Sequence, residues 1–206
     1  MNEPAKIVEK IVKLFPRGRF SSDPLRILIC TILSQRTRDE NTERACEKLF
    51  ARYRDVFELA KASAPDLYEL IRESGMYKQK AQRIVEVAKI LVEKYSGKIP
   101  NKLEELLKLP GVGRKTANIV LYQGFGQPAI AVDTHVHRIS NRLGLVKTKR
   151  PDETEEQLKK LIPKHLWGPM NGSMVEFGRR ICQPIKPKCE ACPLNSECEY
   201  FLQKVC

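Results

Sequence analysis

The chain has 206 residues, and its 37 lysines and arginines against 25 acidic residues give a formal net charge of +12. This length suffices for one large domain or two small ones, and the charge predicts a polyanionic partner. The longest apolar run, residues 25–33, contains Arg26 and is far shorter than the ~20 residues of a membrane span. The first six residues lack the apolar core of a signal peptide, so we expect a cytoplasmic protein, nucleoid-associated if prokaryotic.

Helix signals follow one another along almost the entire chain. N-cap residues followed by proline, and apolar residues three or four apart, predict helices over residues 24–35, 64–73, 78–95 and 151–162. Only residues 128–132 resemble a strand, and we interpret them as a buried extended connector. The sequence therefore predicts an all-α protein of roughly ten short helices joined by short connections.

A glycine-rich hairpin, LPGVGRKTA at residues 109–117, joins two of the predicted helices. Gly111 and Gly113 have no Cβ and allow a nucleic-acid backbone to come close, while the amides that open the second helix face a phosphate. Lys115 lies at this positive helix end beside Arg114, which disfavours the charged amine and makes the neutral, nucleophilic form accessible. On these residues alone, a simple phosphate contact by Lys115 remains the alternative.

Asp133 follows the apolar residues 129–132 and precedes a predicted helix over residues 134–143. This position is typical of an ordinary N-cap. A partly buried carboxylate at a helix N-terminus also stays ionised, which suits it to stabilise positive charge on a sugar or to accept a proton from an ammonium. His135 and His137 point to different helix faces, so a shared metal site is not expected, and His135 either contacts phosphate or packs on the surface.

Seven cysteines in a chain without an export signal argue against a disulfide framework. Cys30 and Cys46 fall on apolar helix faces and are predicted to pack as small core residues, and Cys206 has no predicted partner. The remaining four form the pattern C-x6-C-x2-C-x5-C: Cys182, Cys189, Cys192 and Cys198. Zinc and a [4Fe–4S] cluster both fit four such thiolates, and the single C-x2-C pair favours the cluster.

The first loop of the cysteine pattern is basic. It contains Lys186 and Lys188, and Arg179 and Arg180 precede it. A short loop fixed on a metal centre would present this charge to a phosphate backbone. The alternative is that these residues are simply solvated.

The three motifs, LPGVGRKTA, AVDTHVHR at residues 131–138 and the cysteine pattern, occur in this order. With them the chain resembles the endonuclease III family of helix-hairpin-helix DNA glycosylase/AP lyases, from residues 33–37 to Cys198. The resemblance implies a barrel of about six helices over residues 22–128, and an iron–sulfur lobe formed by residues 1–21 with 129–206. It also implies a monomer with damaged duplex DNA bound across the cleft and one nucleotide flipped out.

The resemblance assigns the chemistry to two residues. Lys115 matches the family's nucleophile, which attacks the sugar C1′, expels the base and forms a Schiff base before β-elimination cuts the strand 3′ to the lesion. Asp133 matches the carboxylate that activates the lysine and stabilises cationic character at C1′. The implied activity is removal of damaged, oxidised pyrimidines in base excision repair.

The resemblance also implies contacts that hold the flipped state. Gln35 matches a glutamine that fills the space left by the nucleotide, and Met76 or Tyr77 is expected to wedge into the opposite strand. Arg36 stands where bacterial relatives usually carry a small residue.

Two other functions compete with this one. A mismatch glycosylase acting on G·T or G·U pairs would use the same scaffold, although Lys115 argues against a purely monofunctional enzyme. A non-catalytic DNA-binding module with a structural zinc would use the hairpin only to grip phosphate. A redox role of the cluster is a third hypothesis.

Overall fold

The computed structural model describes residues 3–18 and 21–205, with side chains up to Gln203, and every regular element among them is helical. The described residues form twelve α-helices: α1 (Glu3–Leu14), α2 (Pro24–Ser34), α3 (Asp39–Arg52), α4 (Val56–Lys61), α5 (Ala64–Ile71), α6 (Tyr77–Tyr95), α7 (Leu103–Leu106), α8 (Arg114–Ile119), α9 (Thr134–Arg142), α10 (Pro151–Leu161), α11 (Lys164–Arg180) and α12 (Glu199–Val205). Short 3₁₀ turns span Arg72–Ser74 and Asn195–Glu197, and a π-helical turn, Val120–Gly124, continues α8. The all-α prediction is confirmed.

The chain divides into two compact units. One is Phe20–Gln127, and the other combines Met1–Arg19 with Pro128–Cys206. The described helices include none that is long and apolar enough to cross a membrane. Cys206, for which the sequence predicted no partner, lies outside the described residues.

Helix α2 is the central element of the unit Phe20–Gln127. The side chain of Asp23 accepts a hydrogen bond from the amide of Leu25 at 3.0 Å, and Pro24 occupies the first turn. The helix is apolar around most of its circumference and packs against α3, α6 and α8. A helix with this composition is stable only when it is surrounded by other elements, which explains its place in the core.

Cys30 and Cys46 lie in the core as predicted, and they also form a bond that the sequence did not predict. Both side chains are buried, as expected, but a disulfide joins them, with their Cα atoms 5.7 Å apart. The apolar pattern places each cysteine on the inward face of its own helix, whereas the meeting of those faces depends on the packing of α2 on α3. The sequence argued against a disulfide framework, and this single bond is an exception to that expectation.

The second unit is built around α11. Helices α1 and α9 both pack on it, and the rings of Phe15 and Phe177 lie 5.0 Å apart. Val136, Ile139 and Met174 belong to the same core. Residues 129–132, predicted to be a buried connector, are buried and have no regular secondary structure. This connector leads directly into Asp133 and α9.

Candidate functional site

The hairpin between α7 and α8 contains two glycines with different reasons to be glycine. Gly111 has φ +74°, and a Cβ on it would lie 2.8 Å from Cδ of Arg83, so its conformation and its neighbour within the protein both require it. Gly113, the N-cap of α8, has φ −90° and nothing within 4 Å of its Cβ position. Open space at Gly113 is compatible with the close approach of a backbone that the sequence predicted for both glycines.

Lys115 lies in the first turn of α8, and its side chain is exposed. The three residues that follow it are buried and anchor the helix: Thr116, Ala117 and Asn118. The amide of Ala117 donates to the carbonyl of Gly113 at 2.9 Å, which closes this turn. Arg114, next to the lysine, is half-buried. The hairpin therefore holds the backbone of Lys115 firmly and leaves its amine accessible.

Gln35, at the C-cap of α2, contacts the same hairpin. Its side-chain amide nitrogen Nε2 donates to the carbonyl oxygen of Gly111 at 2.9 Å. The side chain predicted to enter DNA is therefore bonded within the protein in this structure.

Met76 and Tyr77, the two candidates for the wedge, have different surroundings. Met76 is 52 % exposed and adopts the left-handed conformation, with φ +47°. Tyr77 is half-buried, and its ring packs edge-on against that of Tyr68 with the centroids 5.5 Å apart. Of the two, Met76 is the side chain that projects freely from the turn.

Lys80 is a polar residue of this unit that the sequence analysis did not identify. It lies on α6 and is only 2 % exposed. The sequence does indicate its burial, because Lys80 precedes Ile84, Ala88 and Leu91 on the same apolar face of the helix. A lysine within an apolar stripe indicates either a side chain that reaches solvent or a satisfied buried ammonium.

In the other unit, Asp133 is half-buried and caps α9. Its Oδ1 accepts from the amides of His135 and Val136, both at 2.9 Å. In the described part of the chain, Oδ2 has no hydrogen-bond partner. The predicted N-cap is confirmed, and the cap uses one carboxylate oxygen while leaving the second available.

The two histidines that follow have separate partners. Nδ1 of His135 lies 3.3 Å from Nη2 of Arg138, and its half-buried ring packs against Gly178 of α11. Nδ1 of His137 lies 2.7 Å from Oγ1 of Thr154. A phosphate contact by His135 stays a prediction, since its ring is already packed against α11.

The four cysteines of the C-terminal pattern line one pocket, together with Arg142, Tyr200 and Phe201. Burial raises the pKa of Cys192 and of Cys198, and the negative charge of neighbouring thiolates raises both further. Within the described residues, no group of three or more His, Cys, Asp or Glu side chains has the arrangement of a metal site. Convergence of four thiols on one pocket still fits a thiolate-ligated group, because bound metal would compensate their mutual repulsion.

Arg142 fixes the loop between the first two of these cysteines. Its guanidinium donates to the carbonyls of Gln183 at 2.6 Å and Pro184 at 2.8 Å, and Nη1 lies 3.6 Å from Sγ of Cys182. Lys186 and Lys188 are exposed on this loop. The predicted basic loop is thus held by an arginine from α9 as well as by its own backbone.

The family described as HhH-GPD superfamily base excision DNA repair protein matches residues 29–164. The chain is 67% identical to Endonuclease III of Thermotoga maritima, over 97% of this chain and 93% of the relative. It is 37% identical to Endonuclease III of Bacillus subtilis, over 93% and 89%.

Two solved structures support this relationship. A trapped Endonuclease III–DNA covalent intermediate superposes with a TM-score of 0.90 at 36% identity, over all of both chains. A thermostable thymine-DNA glycosylase gives a TM-score of 0.89 at 29% identity, over 98% of each chain. The fold and the motifs thus define a helix-hairpin-helix protein of base excision DNA repair. Within that class, the chain belongs to the endonuclease III family, which confirms the resemblance seen in its motifs.

Proposed function

We propose that the chain is a bifunctional DNA glycosylase/AP lyase that removes oxidised pyrimidines from duplex DNA and cuts the strand 3′ to the abasic site. The observation that carries this function is the exposed amine of Lys115 on the rigid first turn of α8. The relationship to endonuclease III supports this function, since one superposed structure is a covalent intermediate of Endonuclease III with DNA.

In the proposed reaction, Nζ of Lys115 attacks C1′, and the bond from C1′ to the base breaks with its electron pair leaving on the base. The sugar ring opens to give a Schiff base between Lys115 and C1′. Loss of a proton from C2′ then expels the 3′ phosphate by β-elimination. Hydrolysis of the imine returns the free lysine.

We assign Asp133 the electrostatic part of this reaction. Its carboxylate would accept the proton of the lysine ammonium and stabilise cationic character at C1′. The hydrogen bonds at Oδ1 leave Oδ2 available for this task. The same two bonds fix the orientation of the carboxylate, so it need not reorganise during the reaction.

We propose that Cys182, Cys189, Cys192 and Cys198 hold a [4Fe–4S] cluster. Their convergence on one pocket beside the cationic Arg142 supports the assignment. The cluster would act as a structural crosslink that holds the basic loop in place. Lys186 and Lys188 on that loop, with Arg114 and the open face of Gly113, are the proposed phosphate contacts.

A borohydride trap tests the proposed function. The protein is mixed with duplexes carrying one thymine glycol or one abasic site in the presence of sodium borohydride, which reduces a Schiff base to a stable adduct. We expect adducts on both duplexes, none with Lys115→Gln, and normal adducts with Lys108→Gln, an exposed lysine of the same hairpin. Trapping by Lys115→Gln at the wild-type rate would refute the nucleophile, and no adduct on either duplex would favour a DNA-binding module.

A mismatch glycosylase acting on G·T or G·U pairs is the second candidate function. The superposition with a thymine-DNA glycosylase at 29% identity favours it. Duplexes with one G·T or G·U pair distinguish the two. Release of thymine or uracil faster than that of thymine glycol would make the mismatch activity the primary one.

A further inference from the structure

The ammonium of Lys80 uses all three of its donors inside the protein. Nζ donates to the carbonyl oxygens of Leu33 and Ser74, both at 2.6 Å, and to Oγ1 of Thr37 at 2.8 Å. In sequence, Leu33 lies 47 residues from Lys80, Thr37 lies 43 residues away and Ser74 lies 6 residues away. A single side chain therefore joins the end of α2 to the turn that precedes α6.

These acceptors border the two turns that carry the predicted insertion residues. Leu33 and Thr37 flank Gln35 and Arg36, and Ser74 lies two residues before Met76. Arg36 and Met76 are both left-handed, with φ +53° and +47°. Side chains other than glycine rarely adopt this conformation, and it persists only where the surroundings enforce it.

Thr37 completes the link between the turns. Its Oγ1 lies within hydrogen-bonding distance of the Ser74 carbonyl and at 3.1 Å from the carbonyl of Gln35, while it also accepts from Lys80. Hydrogen bonds of Thr37 therefore connect the two turns to each other, and both turns also accept hydrogen bonds from the ammonium of Lys80.

Stability alone is a poor explanation for this cation. Its three acceptors are neutral oxygens, and it lies in the first turns of α6, where the helix dipole disfavours positive charge. Burial, together with a smaller effect of the charge of Arg83, lowers the pKa of Lys80 to about 8. An apolar side chain of similar volume usually serves the core as well as a buried charge does. The ammonium supplies directed bonds to two separate turns, which an apolar side chain cannot.

We propose that Lys80 is a positioning residue that fixes the turn carrying Gln35 against the turn carrying Met76, so that the two side chains enter the duplex at a set separation. This inference rests on the proposed glycosylase function. Lys80 touches no reacting atom, and it acts only where a nucleotide must be extruded from a stacked duplex.

The test compares Lys80→Met with Lys89→Met, an exposed lysine on the same helix. Three measurements are made under single-turnover conditions: base release from a thymine glycol duplex, borohydride trapping on a single-stranded abasic oligonucleotide, and the fluorescence of 2-aminopurine placed opposite the lesion. The single strand reports Schiff-base chemistry without extrusion, and 2-aminopurine reports unstacking directly.

For Lys80→Met we expect base release and the fluorescence rise on the duplex to slow by about 100-fold, the effect of a misplacement of roughly 1 Å. Trapping on the single strand should stay close to wild type, as should the concentration of duplex that gives half-maximal rate. Lys89→Met should match wild type in all three. Equal losses on duplex and single strand, or no loss on either, would overturn the proposal.

Thr37→Val decides the matter if Lys80→Met does not fold. It keeps the side-chain volume and removes the hydroxyl that bonds to Lys80 and to the second turn. We expect base release and the fluorescence rise on the duplex to slow by about 10-fold, the loss of one hydrogen bond of ordinary strength, with trapping on the single strand unchanged. Wild-type rates on the duplex would overturn the proposal. If wild-type protein itself gives no adduct on single-stranded or duplex abasic DNA, the lyase function fails and the role of Lys80 fails with it. This result differs from one in which wild-type protein forms adducts and only the proposed role of Lys80 fails.

Discussion

Replacing Asp133 by asparagine and by alanine separates its capping of α9 from its proposed chemistry. The cap consists of two hydrogen bonds from backbone amides to Oδ1, both 2.9 Å long. Asparagine caps a helix about as well as aspartate, so Asp133→Asn should keep them, whereas Asp133→Ala loses both and about 1 kcal/mol of stability. For a chain of this size, 1 kcal/mol lowers the melting temperature by about 2–4 °C.

The two variants should be alike in catalysis, because both lack the carboxylate. We expect each to lose base release by about 10²–10³-fold, the usual cost of removing one electrostatic group from a catalytic site. Single-turnover release of thymine glycol measures the rate, and thermal unfolding measures the cap. Binding to an abasic duplex should be retained by Asp133→Asn, since the backbone of α9 is unchanged.

Asp55 offers a matched control for the cap. It is the N-cap of α4, and its Oδ1 accepts from the amide of Glu58 at 2.9 Å. Asp55→Ala should lower the melting temperature to a similar degree and leave base release unchanged. Wild-type activity in Asp133→Asn would refute the carboxylate's role, and unfolding of Asp133→Asn as severe as that of Asp133→Ala would refute the argument that the cap survives.

Two further pairs of residues give predictions for the proposed DNA contacts. Gly111→Ala should destabilise the fold by about 1–2 kcal/mol, because alanine resists the left-handed conformation, and its Cβ would also press on Arg83. Gly113→Ala should lose no more than about 1 kcal/mol, the difference between glycine and alanine at an N-cap, yet bind an abasic duplex more weakly in a gel-shift assay. Binding as tight as that of wild type would show that no backbone approaches there. Lys186→Ala with Lys188→Ala should reduce the slope of log Kd against log salt by roughly one unit per lost phosphate contact. An unchanged slope would identify both lysines as solvated surface.

The features that the sequence predicted correctly are those encoded over a few neighbouring residues. The cap of α9 follows from an aspartate placed directly before a helical pattern, and the hairpin follows from glycines between two apolar-periodic stretches. The order of these motifs with the cysteine spacing was sufficient to predict the fold and the family. Such features need no knowledge of how distant segments pack.

The features that the sequence analysis missed depend on contacts between distant segments. Cys30 and Cys46 were placed on the correct faces of α2 and α3, but their bond requires the packing distance between the helices. The three acceptors of Lys80 are backbone and hydroxyl oxygens, which carry no signal in the pattern of side chains. Similarly, the two hairpin glycines look equivalent in sequence, and only their backbone conformations and the position of Arg83 distinguish Gly111 from Gly113.

The hydrogen bond from Gln35 to the carbonyl of Gly111 bears on how such an enzyme inspects undamaged DNA. A side chain that leaves this carbonyl to enter a duplex exchanges one amide hydrogen bond for another, each with a net worth of about 1 kcal/mol. The exchange of hydrogen bonds is close to energy-neutral, so the cost of entry is that of unpairing and unstacking a nucleotide, a few kcal/mol that is smallest at a damaged base. Residence at one position would then depend on how much of this cost the binding of an extruded base returns, and DNA whose bases the site does not bind would be released.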